Sequence, residues 1–263
     1  MRNLIIFLVL FTAISCVTEK DNDWKLIWSD EFDYKGLPDS TKWNYEEGFI
    51  RNRESQFYTS NRLDNARVEN GMLIIKARRD FYRDSAYSSA SLITKNKAEF
   101  LYGRIEMNAR LPYGNGVWPA FWMLGINITD VGWPECGEID IMEYVGFDTL
   151  TIHGNIHTEA YNHVKRTNKG SRIVTEAPWE IFHTYAVEWY QDRIDFYLDT
   201  TKYFTFQNEG TGNDVWPFDK PHYIIANLAI GGAWGRQHGI DTTIFPQQYI
   251  IDYIRVYQKK GNE

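Results

Sequence analysis

The decapeptide GEIDIMEYVG, residues 137–146, sets Glu138, Asp140 and Glu143 among Ile139, Ile141, Met142, Tyr144 and Val145. Apolar residues in this arrangement read as a buried strand, and buried strands exclude carboxylates unless something partners them. Side chains alternate along a regular strand, so 138 and 140 share a face while 143 points away. One extra residue, a β-bulge, returns Glu143 to the face of the other two. The decapeptide therefore predicts a bulged strand carrying three aligned acids.

Period-two patterns continue on both sides of it. GRIEMNARL (103–111) places Ile105, Met107, Ala109 and Leu111 on one face, with Arg104, Glu106, Asn108 and Arg110 on the other. RIDFYLD (193–199) and YIIDYIRVYQ (249–258) read as similar alternations, and HYIIANLAI (222–230) as a central strand buried on both faces. Two strand-like runs meet at ENG (69–71), a turn signal. No long amphipathic helix competes, so the fold expected is all-β, a sandwich of two antiparallel sheets. Residues 24–260 show no linker, repeat or composition break, which argues for one domain.

The 263 residues carry a formal net charge of −7 with no block of Lys or Arg. Nucleic acid is therefore excluded as a partner, because phosphate backbones recruit dense basic patches. Aromatic content is 16%, with ten Trp and seventeen Tyr, which suits either a β-rich core or a sugar-binding surface. Residues 1–15, MRNLIIFLVLFTAIS, combine Arg2 with an apolar run too short to span a bilayer, the pattern of a secretory signal. AISC (13–16) is similar to a bacterial lipobox, with Ala13 where Leu is commoner; Cys16 would then be lipidated and 16–23 would form a tether. The expectation is an exported, membrane-anchored lipoprotein at the cell envelope or surface, with simple secretion as the alternative. Contact with a membrane would be through that lipid only, and the protein is expected to be monomeric. Cys136 then has no disulfide partner and reads as a small buried hydrophobe.

Three chemical readings suit the acids. Two carboxyls about 5–5.5 Å apart are what a retaining glycosidase uses, one as nucleophile and one as acid/base. Asp140 between them would hold one Glu and separate the two protonation equilibria. Carboxylates also ligate hard cations, and a row of acids can be a solvated strand face.

At this point the sequence resembles glycoside hydrolase family 16, and within it the laminarinase-like members. Glu138, Asp140 and Glu143 match the bulged E-x-D-x-x-E motif. LIWSDEFD (26–33), NRESQFYT (52–59), ENGMLIIKA (69–77), YGRIEMNARLP (102–112) and NGVWPAFWMLG (115–125) match in order. So do WPECGEIDIMEYVG (133–146), HGNIHT (153–158), NLAIGGAWG (227–235) and IDYIRVYQ (251–258). The resemblance implies a β-jelly-roll with a concave substrate cleft and an endo-acting, retaining β-1,3-glucanase that needs no catalytic cofactor. In that scheme Glu138 is nucleophile, Glu143 acid/base and Asp140 their orienter. The resemblance also makes His157 a site residue, on the strand face shared with His153 and Asn155. It places Trp118, Trp122, Trp133 and Trp234 against β-glucan, with Asn52 and Asn227 as hydroxyl partners. A structural Ca²⁺ would sit away from the acids, on the backbone of Glu31 and Gly71 and the side chain of Asp252. A mixed-linkage β-1,3-1,4-glucanase or an algal galactanase is the alternative within the same chemistry. A non-catalytic glucan-binding module is the alternative of another class.

Overall fold

A computed structural model describes residues 23–260, so the signal and lipid expectations for residues 1–22, Cys16 included, lie outside the described residues. In chain order the strands begin with β1 (Trp24–Asp30), β2 (Asn44–Glu46), β3 (Gln56–Tyr58), β4 (Ala66–Glu69) and β5 (Met72–Ala77). There follow β6 (Tyr87–Ser89), β7 (Ser91–Ile93), β8 (Gly103–Arg110), β9 (Val117–Gly125) and the one-turn α1 (Ile128–Val131). Next come β10 (Glu138–Glu143), β11 (Thr151–His157), β12 (Lys169–Val174), β13 (His183–Trp189) and β14 (Arg193–Leu198). The last are β15 (Thr201–Gln207), β16 (His222–Ile230), the short α2 (Gly232–Gly235) and β17 (Gln247–Lys259).

Two antiparallel sheets stack face to face, as the alternating patterns require. The outer sheet runs β15-β14-β13-β8-β17-β5-β4, with β1 also paired to β17. The inner sheet runs β12-β11-β10-β9-β16-β7-β2. Between them lies one apolar core. Ile105, Met107, Ala109, Val187, Phe196, Ile251 and Ile254 of the outer sheet meet Val117, Phe121, Met123, Ile139, Ile156, Ile224 and Leu228 of the inner sheet. Each such side chain contributes about 1.5–3 kcal/mol on leaving water. With Cys136 a free, buried thiol, that burial rather than any disulfide among the described residues stabilises the sandwich.

HYIIANLAI is the central strand expected. β16 lies between β9 and β7 and is buried along its whole length, because a second apolar cluster covers its other face. Cys136 belongs to that second cluster, and burial pushes its thiol up to about 12, which makes it a packing residue. At the ENG turn, Asn70 and Gly71 take φ of 56° and 75°, the left-handed pair a two-residue hairpin needs. This turn joins β4 to β5 in register, Glu69 opposite Met72.

One sequence expectation needs correction. YIIDYIRVYQ does not alternate throughout: Tyr249 and Ile251 point inward, and so do Ile254 and Val256, of opposite parity. A register shift at Asp252 absorbs the extra residue. β5 releases β17 at Ile251 and β1 takes it up at Ile254. Glu31 and Gly71, each just beyond one of those strands, therefore come up to the same gap as Asp252.

The bulge that matters for the acids is in β10. Against β9, Asp140 pairs with Trp122 and Met142 with Phe121, so Ile141 is the extra residue. Against β11, Asp140 pairs with Asn155 and Glu143 with His153, again one residue over. Ile141 and Met142 are both buried. Deleting Ile141 should turn the strand regular while leaving all three acids on one face, at the loss of one buried Ile, about 2–3 kcal/mol. Inserting one Ala after Asp140 should instead turn Glu143 into the core where the bulge is kept, or carry it a further pleat repeat away from Glu138 where it is not. The expected result is a folded deletion variant with measurable hydrolysis and an insertion variant with none. Equal activity in the two would contradict the register.

Candidate active site

The concave face of the inner sheet is a lattice of side chains fixed by register. Across β16, β9, β10 and β11 one row reads Asn227, Ala120, Glu143 and His153. The next reads Ile225, Trp122, Asp140 and Asn155, and the third Tyr223, Leu124, Glu138 and His157. Above this floor is a cleft of about 740 Å³. It brings together the expected Asn52, Trp118, Trp122, Trp133, Glu138, Asp140, Glu143, His157, Asn227 and Trp234. Glu31, Gly71 and Asp252 are not among its lining, in keeping with their place on the outer sheet.

Each Glu is held by a different set of donors. Glu143 receives the Trp118 indole N–H on Oε1 at 3.1 Å and the Asn155 amide on Oε2 at 2.8 Å. Glu138 receives the Trp133 indole N–H on Oε2 at 2.9 Å. His157 turns Nε2 toward Asp140 Oδ2 at 3.3 Å and Glu138 Oε1 at 3.8 Å. Asp140 Oδ2 is buried and finds no hydrogen-bond partner among the described residues.

These surroundings decide where protons sit. Burial pushes Glu138 well above the usual carboxylate range, the charge of Asp140 adds to the shift, and His157 opposes it. Burial raises Asp140 too, and the charge of Glu143 raises it further. Two carboxyls so close in a poorly solvated place hold a proton between them. Trp133 donates to Glu138, which favours the charge there, whereas Asp140 Oδ2 has no donor. The hydrogen bond between the two carboxyls raises Glu138 further and opposes the rise of Asp140.

The tryptophans differ in what they can offer a ligand. Trp234 comes off the Gly231-Gly232 turn, where φ of 72° and 70° and a Cβ only 3.0 Å from the Trp118 ring at Gly232 both call for glycine. Its ring meets Trp118 at 5.7 Å and His153 at 4.9 Å, edge to face. Trp122 is nearly buried: the Arg51 guanidinium lies 4.9 Å over its ring, and its N–H goes to Asn227 Oδ1 at 2.8 Å. Asn227 in turn donates to the Tyr58 hydroxyl at 3.0 Å. Asn227 and Trp122 thus hold one another in the floor of the cleft, which both line. Asn52 lines the rim, where its carbonyl accepts the N–H of Ala233 at 2.9 Å.

Sequence reasoning missed several lining residues. Arg51, which pairs with Glu46, lacked a signal because its partners lie on other strands. His163 comes from the β11–β12 connection, its ring 5.0 Å from Trp133 and 5.2 Å from His157. Glu54 and Gln237 also line the cleft. For Asn155 a signal existed, its shared parity with His157, but its bond to Glu143 did not follow from parity.

The sequence profile described as Glycosyl hydrolases family 16 matches residues 53–255. A Beta-glucanase of Rhodothermus marinus is 47% identical over 250 residues, covering 92% of this chain and 87% of that protein. The X-ray structure of the laminarinase from Rhodothermus marinus superposes with a TM-score of 0.88 at 47% identity, over 90% of this chain and 98% of the other. The crystal structure of a non-specific endo-β-1,3(4)-glucanase gives 0.86 at 46% identity, over 91% and 92%.

The electrostatics give a test. The charge of Asp140 is one of the influences raising Glu138, so Asp140→Asn should let Glu138 ionise at lower pH. The acidic limb of the kcat/KM profile is expected to move to lower pH, with kcat reduced less than in variants of either Glu. An unmoved acidic limb would contradict the coupling.

Proposed function

The chain belongs to glycosyl hydrolases family 16, and on that premise we propose that it is an endo-acting, retaining glycoside hydrolase that cleaves β-1,3-glucan. One observation carries the proposal: the bulge of β10 puts Glu138, Asp140 and Glu143 on the floor of an open cleft walled by tryptophans. The names of the relatives, a laminarinase among them, support the glucan substrate.

Glu143 protonates the glycosidic oxygen as the bond to C1 breaks, and Glu138 attacks C1 from the other side of the ring. The sugar is then an ester of Glu138. Glu143, now a carboxylate, takes a proton from water, which attacks C1 and releases Glu138. Asp140 orients Glu138 through the hydrogen bond between their two carboxyls. No step calls for a cofactor. Trp118, Trp133 and Trp234 offer ring surface to the apolar faces of the glucose units.

A second reading has a specific basis. The neighbour named as non-specific for β-1,3(4)-glucan is nearly as similar as the laminarinase, so mixed-linkage glucan is the second substrate. The family resemblance also puts a structural Ca²⁺ at Glu31, Gly71 and Asp252. Their convergence on the gap in β17 supports it, and Arg255 occupies the Glu31 carboxylate at 2.9 and 2.7 Å, leaving the backbone carbonyl to ligate. A cation there would tie β1 and β5 to β17.

A reducing-sugar assay over laminarin, lichenan, agarose and carrageenan tests the substrate. The expected order is laminarin first, lichenan second, and no release from the galactans. Glu138→Gln and Glu143→Gln should each lower kcat on laminarin by about 10²–10⁴-fold or more while the protein stays folded. Near-normal turnover in either variant would remove the assignment.

A further inference from the structure

Glu138, Asp140 and His157 stand close enough together to offer three ligand atoms to one metal ion. One ligand atom from each lies within 4.8 Å of the other two. The His157 Nε2 separations, 3.3 Å to Asp140 and 3.8 Å to Glu138, can be set against coordination geometry. Zinc holds nitrogen and oxygen ligands at about 2.0–2.1 Å, so two ligands of a tetrahedron stand about 3.3–3.4 Å apart. The two His157 edges thus lie within a few tenths of an ångström of that spacing, and the Glu138–Asp140 edge lies within 4.8 Å. Independent of this spacing, the Asp140 side chain is 5% exposed and its Oδ2, the atom facing His157, has no hydrogen-bond partner among the described residues. The cluster therefore contains a buried oxygen lone pair that the protein leaves unused.

We propose that the cleft binds one divalent transition-metal ion, of the zinc class, through Glu138, Asp140 and His157 Nε2, in direct competition with glucan. One imidazole and two carboxylates suit zinc better than calcium, which asks for six to eight oxygens. The fourth position opens into the cleft, where water completes the shell. His157 Nδ1 is buried without a partner among the described residues, so the imidazole lacks there the supporting acceptor that resident zinc sites supply. The affinity is accordingly expected to fall about 10–100-fold short of such sites. This is an exchangeable, inhibitory ion, present when zinc is abundant and displaced by substrate.

The test is a calorimetric titration of zinc chloride into EDTA-treated protein, with cobalt(II) absorption as a second readout. One equivalent should bind, and cobalt should give the intense visible bands of a tetrahedral site. Glu138→Gln, Asp140→Asn and His157→Gln should each weaken binding at least tenfold. Glu143→Gln, which removes none of the three ligands, should bind as the parent does and serves as the folded control. Laminari-oligosaccharide should raise the apparent Kd in proportion to its concentration. Calcium binding at Glu31, Gly71 and Asp252, titrated alongside, should be the same in all variants. Zinc affinity unchanged across the three ligand substitutions, or the weak bands of octahedral cobalt, would overturn the site.

Discussion

A single unpaired residue in β10 sets how Glu138, Asp140 and Glu143 stand relative to one another. Ile141 has no opposite number in β9, so the pleat slips by one and Glu143 arrives on the face of Glu138 and Asp140. The core accepts this because Ile141 and Met142 are both apolar and both buried. Once the slip is made, the row positions follow: Ala120 and His153 must flank Glu143, and Trp122 and Asn155 must flank Asp140. Regular alternation of this sequence would put Glu138 and Asp140 on one face and Glu143 on the other.

The acids are then kept apart chemically by what surrounds them. Glu143 sits in a closed circuit: Trp118 donates to it, Trp234 packs on Trp118, and His153, its register neighbour, packs on Trp234. Glu138 and Asp140 are both raised by burial and by neighbouring negative charge, and Trp133 donates to Glu138. The difference lets one carboxyl act as a nucleophile while another trades protons with the leaving group and water. The same burial leaves Asp140 Oδ2 without a hydrogen-bond partner among the described residues, beside the imidazole of His157, and the proposed metal site rests on that pairing.

Much of this was legible in the chain. The bulge follows from the i, i+2, i+5 spacing of acids within an apolar run, and the sandwich from alternation such as that of 103–111. The central strand 222–230 showed as an unbroken apolar run because both its faces are covered. What escaped was information held in distant partners. Arg51 covers the face of Trp122, and Asn227 bonds Tyr58 across 169 positions of sequence; neither has a local pattern. The slip at Asp252 escaped for a different reason: Tyr253, Arg255 and Tyr257 are amphipathic enough to read as either face. The family resemblance pointed to the Glu31, Gly71 and Asp252 grouping, but only the register of β1 and β5 on β17 brings those residues to one place.

The proposed double displacement depends on Glu138 and Glu143 sharing one face with their carboxyls close together. About 5–5.5 Å between carboxyls leaves no room for an inverting water, whereas about 6.5–9.5 Å admits one. Proton NMR of the anomeric signals in the first minutes of laminarin hydrolysis separates the two before mutarotation mixes them. The β anomer should appear first and the α anomer only later. An α anomer formed first would mean inversion, and with it neither the nucleophilic role of Glu138 nor the close approach created by the β10 bulge could stand.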